Sequence, residues 1–366
     1  MWYRFRVHTR TVLVSVLAIA LFAWFLSHAN LASVWAEVQG ARVDLLVAGF
    51  VAVVLTYAIR ARRWQYLLDP IGQTRFRTAF RATVIGFAAL GVLPARAGDL
   101  LRPYLLARQE GLRLSATFAT IVMERVLDLI AVLTLLALYV WGTADPATIP
   151  PALRRPIEIS AGLAGVAAAT LMGLMWLLAT HPERIGRLVF AAARVLPHAM
   201  ADRLASLART FSEGFAVVRQ PRSLLAALAW SFPLWVMIAA EAWLVTVAFG
   251  IAMPFTGTFL LQGLLVIGVA VPTPGAVGSY HEAYRIGVTT FFGAAGDPAV
   301  AAAIVTHAVS YVPVVLAGLV FMVQDGLSFS GLRAMAADSA ARPLPGAEGP
   351  LPGIVGGRHQ GGARHP

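Results

Sequence analysis

The stretch GVLPARAGDLLRPYLLARQEG, residues 91–111, places a Pro-x-x-x-Gly step and several charged residues directly after an apolar segment. Pro94 and Gly98 of this step correspond to Pro274 and Gly278, 180 residues later. The apolar segments before the two steps, 79–93 and 257–271, are shorter than the roughly 20 residues that cross a bilayer. A helix that enters the membrane, breaks and turns back explains both segments, because irregular backbone is tolerated there only where protein buries it or it lines a cavity. We therefore predict two re-entrant elements, with helix breaks at Pro94, Gly98, Pro272, Pro274, Gly275 and Gly278. A pair of ordinary interfacial loops is the alternative.

The composition is that of an integral membrane protein. Hydrophobic residues make up 58% of the 366, and charged residues only 13%, about half the share that a soluble domain carries. Six apolar runs approach or exceed the length of a span: 11–26, 43–59, 116–140, 157–179, 223–250 and 299–323. The first run is expected to be a retained span, since no clean signal-peptide cleavage site follows it. The sequence thus predicts an all-α polytopic membrane protein with about six full crossings.

All 29 basic residues are arginine, and their distribution predicts an orientation. Arginines cluster before the first span and after the second and fourth, whereas only Arg42 separates the first two spans and only Arg154 and Arg155 follow the third. Cytoplasmic loops carry the excess of positive charge, so we expect a plasma-membrane protein with both termini in the cytoplasm. The net charge of +11 is expected to meet anionic headgroups rather than nucleic acid.

This orientation divides the chain into regions. We expect an integral membrane domain over 1–335, a cytoplasmic amphipathic segment over 181–222, and a disordered Pro/Gly-rich tail over 336–366. The first broken element falls on the cytoplasmic side and the second on the outer side. The regions about 43–141 and 223–325 therefore form a predicted inverted-topology repeat, an arrangement whose broken helices commonly surround a substrate site.

Charged residues inside the third span need an explanation, because a charge at that depth is costly without a partner or cavity. Arg125 has Glu124 beside it and Asp128 three residues on, on one helical face. A structural ion pair is one interpretation. The other is an anion-binding arginine, which acts with Arg96 and Arg102 of the first broken element, since the planar guanidinium suits a phosphodiester. Three acidic side chains are expected to be the charge partners: Asp99, Glu124 and Asp128.

The second broken element also leads into polar residues. His281 and Arg285 lie one helical turn apart and are candidate headgroup ligands, and Glu282 can pair with Arg285. His281 could relay a proton or serve as an interfacial hydrogen-bonding residue. Two further polar residues lie in apolar runs, His307 and Glu241, and each is either a functional residue or a hydrogen-bonding residue of helix packing.

These two segments resemble the best-marked parts of the lysylphosphatidylglycerol synthase transmembrane (flippase-type) family. The family's first segment reads Leu-Pro-x-Arg-x-Gly-Glu and then Arg, and it is followed by a helix with Glu-Arg and Asp. This chain has Asp99 in place of the glutamate. It matches the pattern at seven other positions: Pro94, Arg96, Gly98, Arg102, Glu124, Arg125 and Asp128. The second segment resembles Pro-Gly-Gly-x-Gly, with Ala276 at the middle glycine and His281 where the family has glutamate. The resemblance covers about residues 10–325.

The resemblance implies lipid transport. Some members carry an aminoacyl-transferase domain that makes lysyl- or alanyl-phosphatidylglycerol, which the membrane part moves across the bilayer, and others accompany a glycosyltransferase domain. This sequence holds no such transferase segment, so we expect a stand-alone member that does not itself make an aminoacyl lipid.

A flippase-like protein for an anionic phospholipid or polyprenyl-phosphate-linked lipid is therefore the favoured function. A membrane transferase and a non-catalytic subunit of a lipid- or envelope-synthesis complex remain alternatives. A non-enzymatic role is favoured, because the sequence shows no metal-ligand spacing, P-loop, nucleophile elbow or cysteine. We expect no metal and no cofactor. The expected partners are membrane lipids and a separately encoded lipid- or glycan-synthesis enzyme.

Overall fold

The computed structural model describes residues 16–27, 29–92, 97–143, 151–180, 220–271 and 273–327. Within these ranges the regular structure is helical throughout. The eleven α-helices are α1 Val16–Leu26, α2 Leu31–Gly40, α3 Val43–Leu68, α4 Phe76–Val92, α5 Ala97–Glu110, α6 Leu114–Leu138, α7 Pro151–Thr180, α8 Pro221–Ala248, α9 Gly257–Ala270, α10 Ser279–Phe292 and α11 Gly296–Gln324. The predictions for Pro94, Arg96, Pro272, the segment 181–219 and the tail 336–366 fall outside the described residues.

Three of these helices, α3, α8 and α11, are long and apolar enough to cross a membrane. Helices α1 and α2 form a pair bent by 79° that adds a fourth candidate span. Helix α6 has 25 residues, but three charged side chains lie near its middle: Glu124, Arg125 and Asp128. The described residues thus form a polytopic, all-helical membrane protein.

Antiparallel helix pairs form the centre of the bundle. A methyl group on Gly49, near the start of α3, would lie 3.3 Å from Val245, near the end of α8. Helices α4 and α11 are also antiparallel, since Arg81 near the start of α4 pairs with Asp325, just after the end of α11, at 2.6 Å. Small residues permit these close approaches, as is usual where helices pack inside a membrane.

The two predicted broken elements form helical hairpins, α4–α5 and α9–α10. A Cβ atom on Gly98 would lie only 2.0 Å from the carbonyl oxygen of Gly86, so the two arms of the first hairpin touch through glycine. In the second hairpin, a Cβ on Gly268 would lie 2.8 Å from the Cβ of Ala283. The short helices observed, Phe76–Val92 and Gly257–Ala270, agree with the segments predicted from sequence.

The hairpins open at opposite ends of the bundle. Arg75 and Glu110, at the outer ends of the first hairpin, pair at 3.3 Å on the side where α3 and α11 end. At the outer ends of the second hairpin, Gly257 packs against Phe292, on the side where α8 ends. Between these ends, the break between α9 and α10 packs against the end of α4.

Helix α3 is longer than the predicted span 43–59, and this corrects the sequence interpretation. It continues to Leu68, so Arg60 and Arg63 lie inside the helix rather than in a cytoplasmic loop. The helix continues because these charges find partners within the protein, where Arg60 lies 4.8 Å above the ring of Phe87 and Arg63 binds carboxylates. Helix α7 likewise begins before the predicted residue 157, at Pro151, since proline suits the first position of a helix.

Candidate functional site

A single buried carboxylate, Glu124 of α6, gathers arginines from three helices. Its Oε1 accepts a hydrogen bond from Arg102 Nη1 at 2.8 Å and another from Arg125 Nη2 at 3.1 Å. The guanidinium of Arg63, from α3, lies 3.4 Å from the same oxygen. Glu124 and Arg63 are fully buried, and Arg102 is only 3% exposed. One carboxylate oxygen therefore joins α3, α5 and α6.

Asp128, one turn further along α6, extends these contacts to α8. Its Oδ1 accepts from Arg63 Nη1 at 2.5 Å and from Trp235 Nε1 at 3.0 Å. Arg63 Nη1 also donates to Ser231 Oγ at 3.0 Å, and Arg125 lies 3.4 Å from the second carboxylate oxygen of Asp128. The predicted Arg125–Asp128 contact is present, but Arg63 makes the shorter one.

Aromatic rings cover the guanidinium groups. The Cζ atom of Arg102 lies 4.0 Å above the ring of Trp64, close enough for a cation–π contact. Phe87 lies under both Arg60 and Arg102, at 4.8 and 5.8 Å. The indole nitrogen of Trp64 in turn donates to Thr120 Oγ1 at 2.8 Å, which fixes the ring over Arg102. The charges thus sit in an apolar, aromatic-walled environment.

Positive charge exceeds negative charge in this arginine cluster, which we define as Arg60, Arg63, Arg102, Arg125, Glu124 and Asp128. The cluster contains four guanidinium groups and two carboxylates. A third acid, Asp99, acts on Arg125 electrostatically, so the arginines still outnumber the acids. Among the buried atoms of the cluster that make no hydrogen bond, nitrogens outnumber oxygens. The nitrogens are Arg63 Nε and Nη2, Arg102 Nε and Nη2 and Arg125 Nε, and the oxygens are Glu124 Oε2 and Asp128 Oδ2. Buried polar groups normally have partners, so the cluster has capacity for an added anion.

Arg125 forms the accessible edge of the cluster. Its side chain is 41% exposed, whereas those of Glu124 and Arg63 are fully buried. An anion that approaches from outside therefore meets Arg125 first. The planar guanidinium can hold such an anion through two parallel hydrogen bonds while Nη2 stays on Glu124.

A second group of polar side chains lies at the second hairpin, and we call it the histidine group: Glu241, His281, His307, Ser310 and Tyr311. The rings of His281 and His307 are 4.6 Å apart, and His307 stacks on Tyr311 at 4.3 Å. The His307 Nε2 atom is 2.8 Å from the carbonyl oxygen of Gly275, in the break of the hairpin. Ser310 Oγ donates to Glu241 Oε1 at 3.1 Å. This group connects α8, α10 and α11.

The structure brings some of the predicted site residues together and separates others. Arg102 and Arg125 share one carboxylate oxygen of Glu124. In contrast, His281 belongs to the histidine group, and Arg285 forms a two-point ion pair with Glu282, at 2.6 and 2.9 Å. Of the described members of the predicted headgroup site, only Arg102 and Arg125 share a partner. Gly275 and Gly278 of the predicted helix break have positive φ angles of 59° and 86°, which favour glycine.

Sequence reasoning missed Arg63, whose contacts hold the cluster together. It was read as one of several arginines that follow a span and set topology. A signal for it was present, because the residues after it, Trp64, Leu67 and Leu68, continue the apolar character of the helix and are fully buried. An arginine inside a continuing apolar helix is a candidate for a buried charge.

This all-helical membrane fold, with two helical hairpins and a cationic cluster that includes Arg102 of the first hairpin, defines a class of membrane proteins built around broken helices. The sequence model of the lysylphosphatidylglycerol synthase TM region matches residues 12–318. The chain therefore belongs to that family, as the resemblance of its two segments indicates.

Curated relatives match along most of the chain. The glycosyltransferase AglD of Haloferax volcanii is 24% identical in an alignment of 349 residues that covers 87% of this chain and 54% of that protein. A UPF0104 membrane protein of Methanothermobacter thermautotrophicus is 21% identical over 88% of this chain and 95% of its own length. The chain thus spans about half of the first relative and nearly all of the second.

The contacts predict that Arg63 matters more for stability than Arg125. In Arg63→Leu the buried carboxylates lose a partner, so we expect a loss of about 3–5 kcal/mol in the free energy of unfolding. Arg125→Gln should cause a smaller loss, since that side chain is partly exposed. Denaturation of the purified proteins in detergent measures both.

Arg42→Gln is the matched control, because Arg42 pairs with Asp44 at 2.8 Å but both side chains are mostly exposed. It should leave the midpoint of denaturation nearly unchanged. Equal midpoints for Arg63→Leu and the parent protein would show that the buried pairs do not hold the bundle.

Proposed function

We propose that this protein moves an anionic lipid across the membrane and holds the lipid phosphate at the arginine cluster. The observation that carries this proposal is the excess of arginine over carboxylate in the arginine cluster, together with five guanidinium nitrogens that are buried and make no hydrogen bond. A phosphate or phosphodiester supplies the negative charge and the acceptor oxygens that such nitrogens bind best. The lipid is a phospholipid or a polyprenyl-phosphate-linked carrier, which share this chemistry.

The surroundings of the cluster suit an amphiphile rather than a free anion. The aromatic walls exclude water, which strengthens the attraction between a guanidinium and a phosphate. The candidate spans expose large apolar side chains to their surroundings, among them Leu55 of α3 and Leu316 of α11. The acyl or prenyl chains can therefore stay in the bilayer while only the headgroup contacts the protein.

We further propose six full crossings and an inverted-topology repeat, with the repeats at about 43–141 and 223–325. The support is that each region contains one hairpin of two short helices, α4–α5 and α9–α10, and that the hairpins open at opposite ends of the bundle. Transporters with inverted repeats place their substrate sites where such broken helices meet. In this proposal the protein lies in the plasma membrane with both termini in the cytoplasm.

The relative AglD suggests a partner. That protein is named a glycosyltransferase, and this chain matches about half of its length. We infer that the present protein serves a separately encoded enzyme that synthesises a lipid or a lipid-linked glycan, and that it moves the product or its carrier. The polyprenyl-phosphate-linked lipid is the candidate substrate that fits this relative best.

Single cysteines test the inverted repeat, because the natural sequence contains none. The positions Gln109, at the open end of the first hairpin, and Ala295, after the second hairpin, are exposed. The proposal predicts that a membrane-impermeant maleimide labels Gln109→Cys only from the cytoplasm and Ala295→Cys only from outside. Labelling of both from the same side contradicts the inverted repeat.

Lipid retention tests the headgroup site. We expect the purified protein to retain phosphatidylglycerol and undecaprenyl phosphate in native mass spectrometry, to retain phosphatidylcholine less, and not to retain diacylglycerol. Arg125→Gln should weaken binding of the anionic lipids about 10- to 100-fold, since a hydrogen bond to a charged group contributes about 1.5–3 kcal/mol.

Arg77→Gln is the control, because Arg77 is an exposed arginine at the start of α4. It should bind the anionic lipids as the parent protein does. Equal retention of phosphatidylglycerol and diacylglycerol by the parent protein would mean that the arginines serve only to hold the helices together.

A further inference from the structure

One buried carboxyl group has no part in the arginine cluster. Glu241 lies in α8, one of the three candidate spans, and only 4% of the residue is exposed. Its Oε1 accepts a hydrogen bond from Ser310 Oγ at 3.1 Å. Among the residues that the structure describes, no arginine or histidine forms an ion pair with this carboxyl group. Glu124 and Asp128, by comparison, each contact two or more arginines.

The groups that surround Glu241 are polar but uncharged. Three phenol groups lie within electrostatic range of it: Tyr57 from α3 and Tyr280 and Tyr284 from α10. From α11, Ser310 donates the hydrogen bond, and His307 and Tyr311 lie on the same stretch of helix. A carboxylate in such a place is unstable as an anion, because an ionised group inside a membrane needs a counter-charge. Its charge can be removed by a proton.

Polar side chains of α11 and α10 lie between Glu241 and the break of the second hairpin. Ser310 is one helical turn from His307, whose ring centroid lies 4.6 Å from that of His281. His307 reaches the carbonyl oxygen of Gly275 in the break of the second hairpin. That break packs against the end of α4, where a Cβ on Gly275 would lie 3.3 Å from the carbonyl oxygen of Gly91. The polar chain therefore ends where the two hairpins meet.

We propose that Glu241 is a proton-binding site that couples lipid movement to a proton gradient, with Ser310, His307 and His281 as the path between the carboxyl group and the hairpin junction. The proposal rests on the transport function inferred above. The carboxylate takes up one proton and becomes a neutral acid that keeps its hydrogen bond from Ser310, and it becomes a carboxylate again when that proton leaves. The charge of the group changes by one unit at the contact between α8 and α11. Intramembrane acid and histidine chains serve as proton relays in pumps and transporters.

Infrared difference spectra of the purified full-length chain in phosphatidylglycerol vesicles, at acid minus alkaline pH, test the site directly. We expect a carbonyl band of a buried protonated carboxyl group in the parent protein and its loss in Glu241→Gln. Glu158→Gln is the matched control, since Glu158 of α7 is an exposed acid, and it should keep the band. A band that persists in Glu241→Gln overturns the proposal.

Ser310→Ala keeps the test valid if Glu241→Gln does not fold. The band should move to higher frequency, because the carbonyl oxygen of Glu241 loses its hydrogen bond. An unmoved band contradicts the assignment. A band that is absent at every pH, with thermal stabilisation by sodium ions that Glu241→Gln abolishes, would identify a sodium site and overturn the proton site.

Transport separates this inference from the proposed function. In vesicles with a pH gradient, the parent protein should translocate the anionic lipid faster than without a gradient, and Glu241→Gln should lose that acceleration but keep basal translocation. Gradient-independent translocation in the parent protein overturns the coupling. Absence of translocation in every variant, with the infrared band still assigned to Glu241, contradicts the proposed function but supports the proton site.

Discussion

The buried ion pairs of Arg63 with Glu124 and Asp128 fix α3 against α6. Inside a bilayer there is no hydrophobic driving force between helices, so specific packing and polar contacts decide how they associate. Arg63 Nη1 binds both Asp128 and Ser231, which joins α3, α6 and α8 through one guanidinium group. Because an unpaired charge is costly there, α3 and α6 must stay aligned.

The same atoms that hold the helices also create the candidate binding site. Glu124 Oε1 is shared by Arg102 and Arg125, so neither guanidinium group is fully neutralised by it. A surplus of positive charge is stable in this position only because cation–π contacts with Trp64 and Phe87 stabilise part of it. An anionic headgroup would complete the charge balance without displacing the structural pairs. The same arginines thus contribute to anion binding and to stability. A substitution at Arg125 can change binding with little loss of stability, since its side chain is partly exposed.

Much of this arrangement could be predicted from local sequence. The interrupted apolar segments indicated both hairpins, and the spacing of Glu124, Arg125 and Asp128 indicated a cluster on α6. The role of Arg63 could not be predicted, because its partner Asp128 is 65 residues away in the sequence and no local periodicity indicates such a contact. Its position in an arginine-rich stretch resembled a topology signal, and only the packing of Trp64 and Leu67 shows that the helix continues inside the protein. The contact between His281 and His307 was hidden for the same reason, since it depends on how α10 and α11 pack.

The measurement that tests the central claim most directly is the rate at which purified protein in vesicles exchanges a tail-labelled lipid between leaflets. Phosphatidylglycerol and phosphatidylcholine with the same labelled tail differ only in the headgroup that the arginine cluster would hold. The account predicts that the protein accelerates exchange of phosphatidylglycerol well above that of phosphatidylcholine, and that Arg125→Gln removes this preference while the protein remains folded. Equal acceleration of both lipids, or a preference that survives Arg125→Gln, would contradict it.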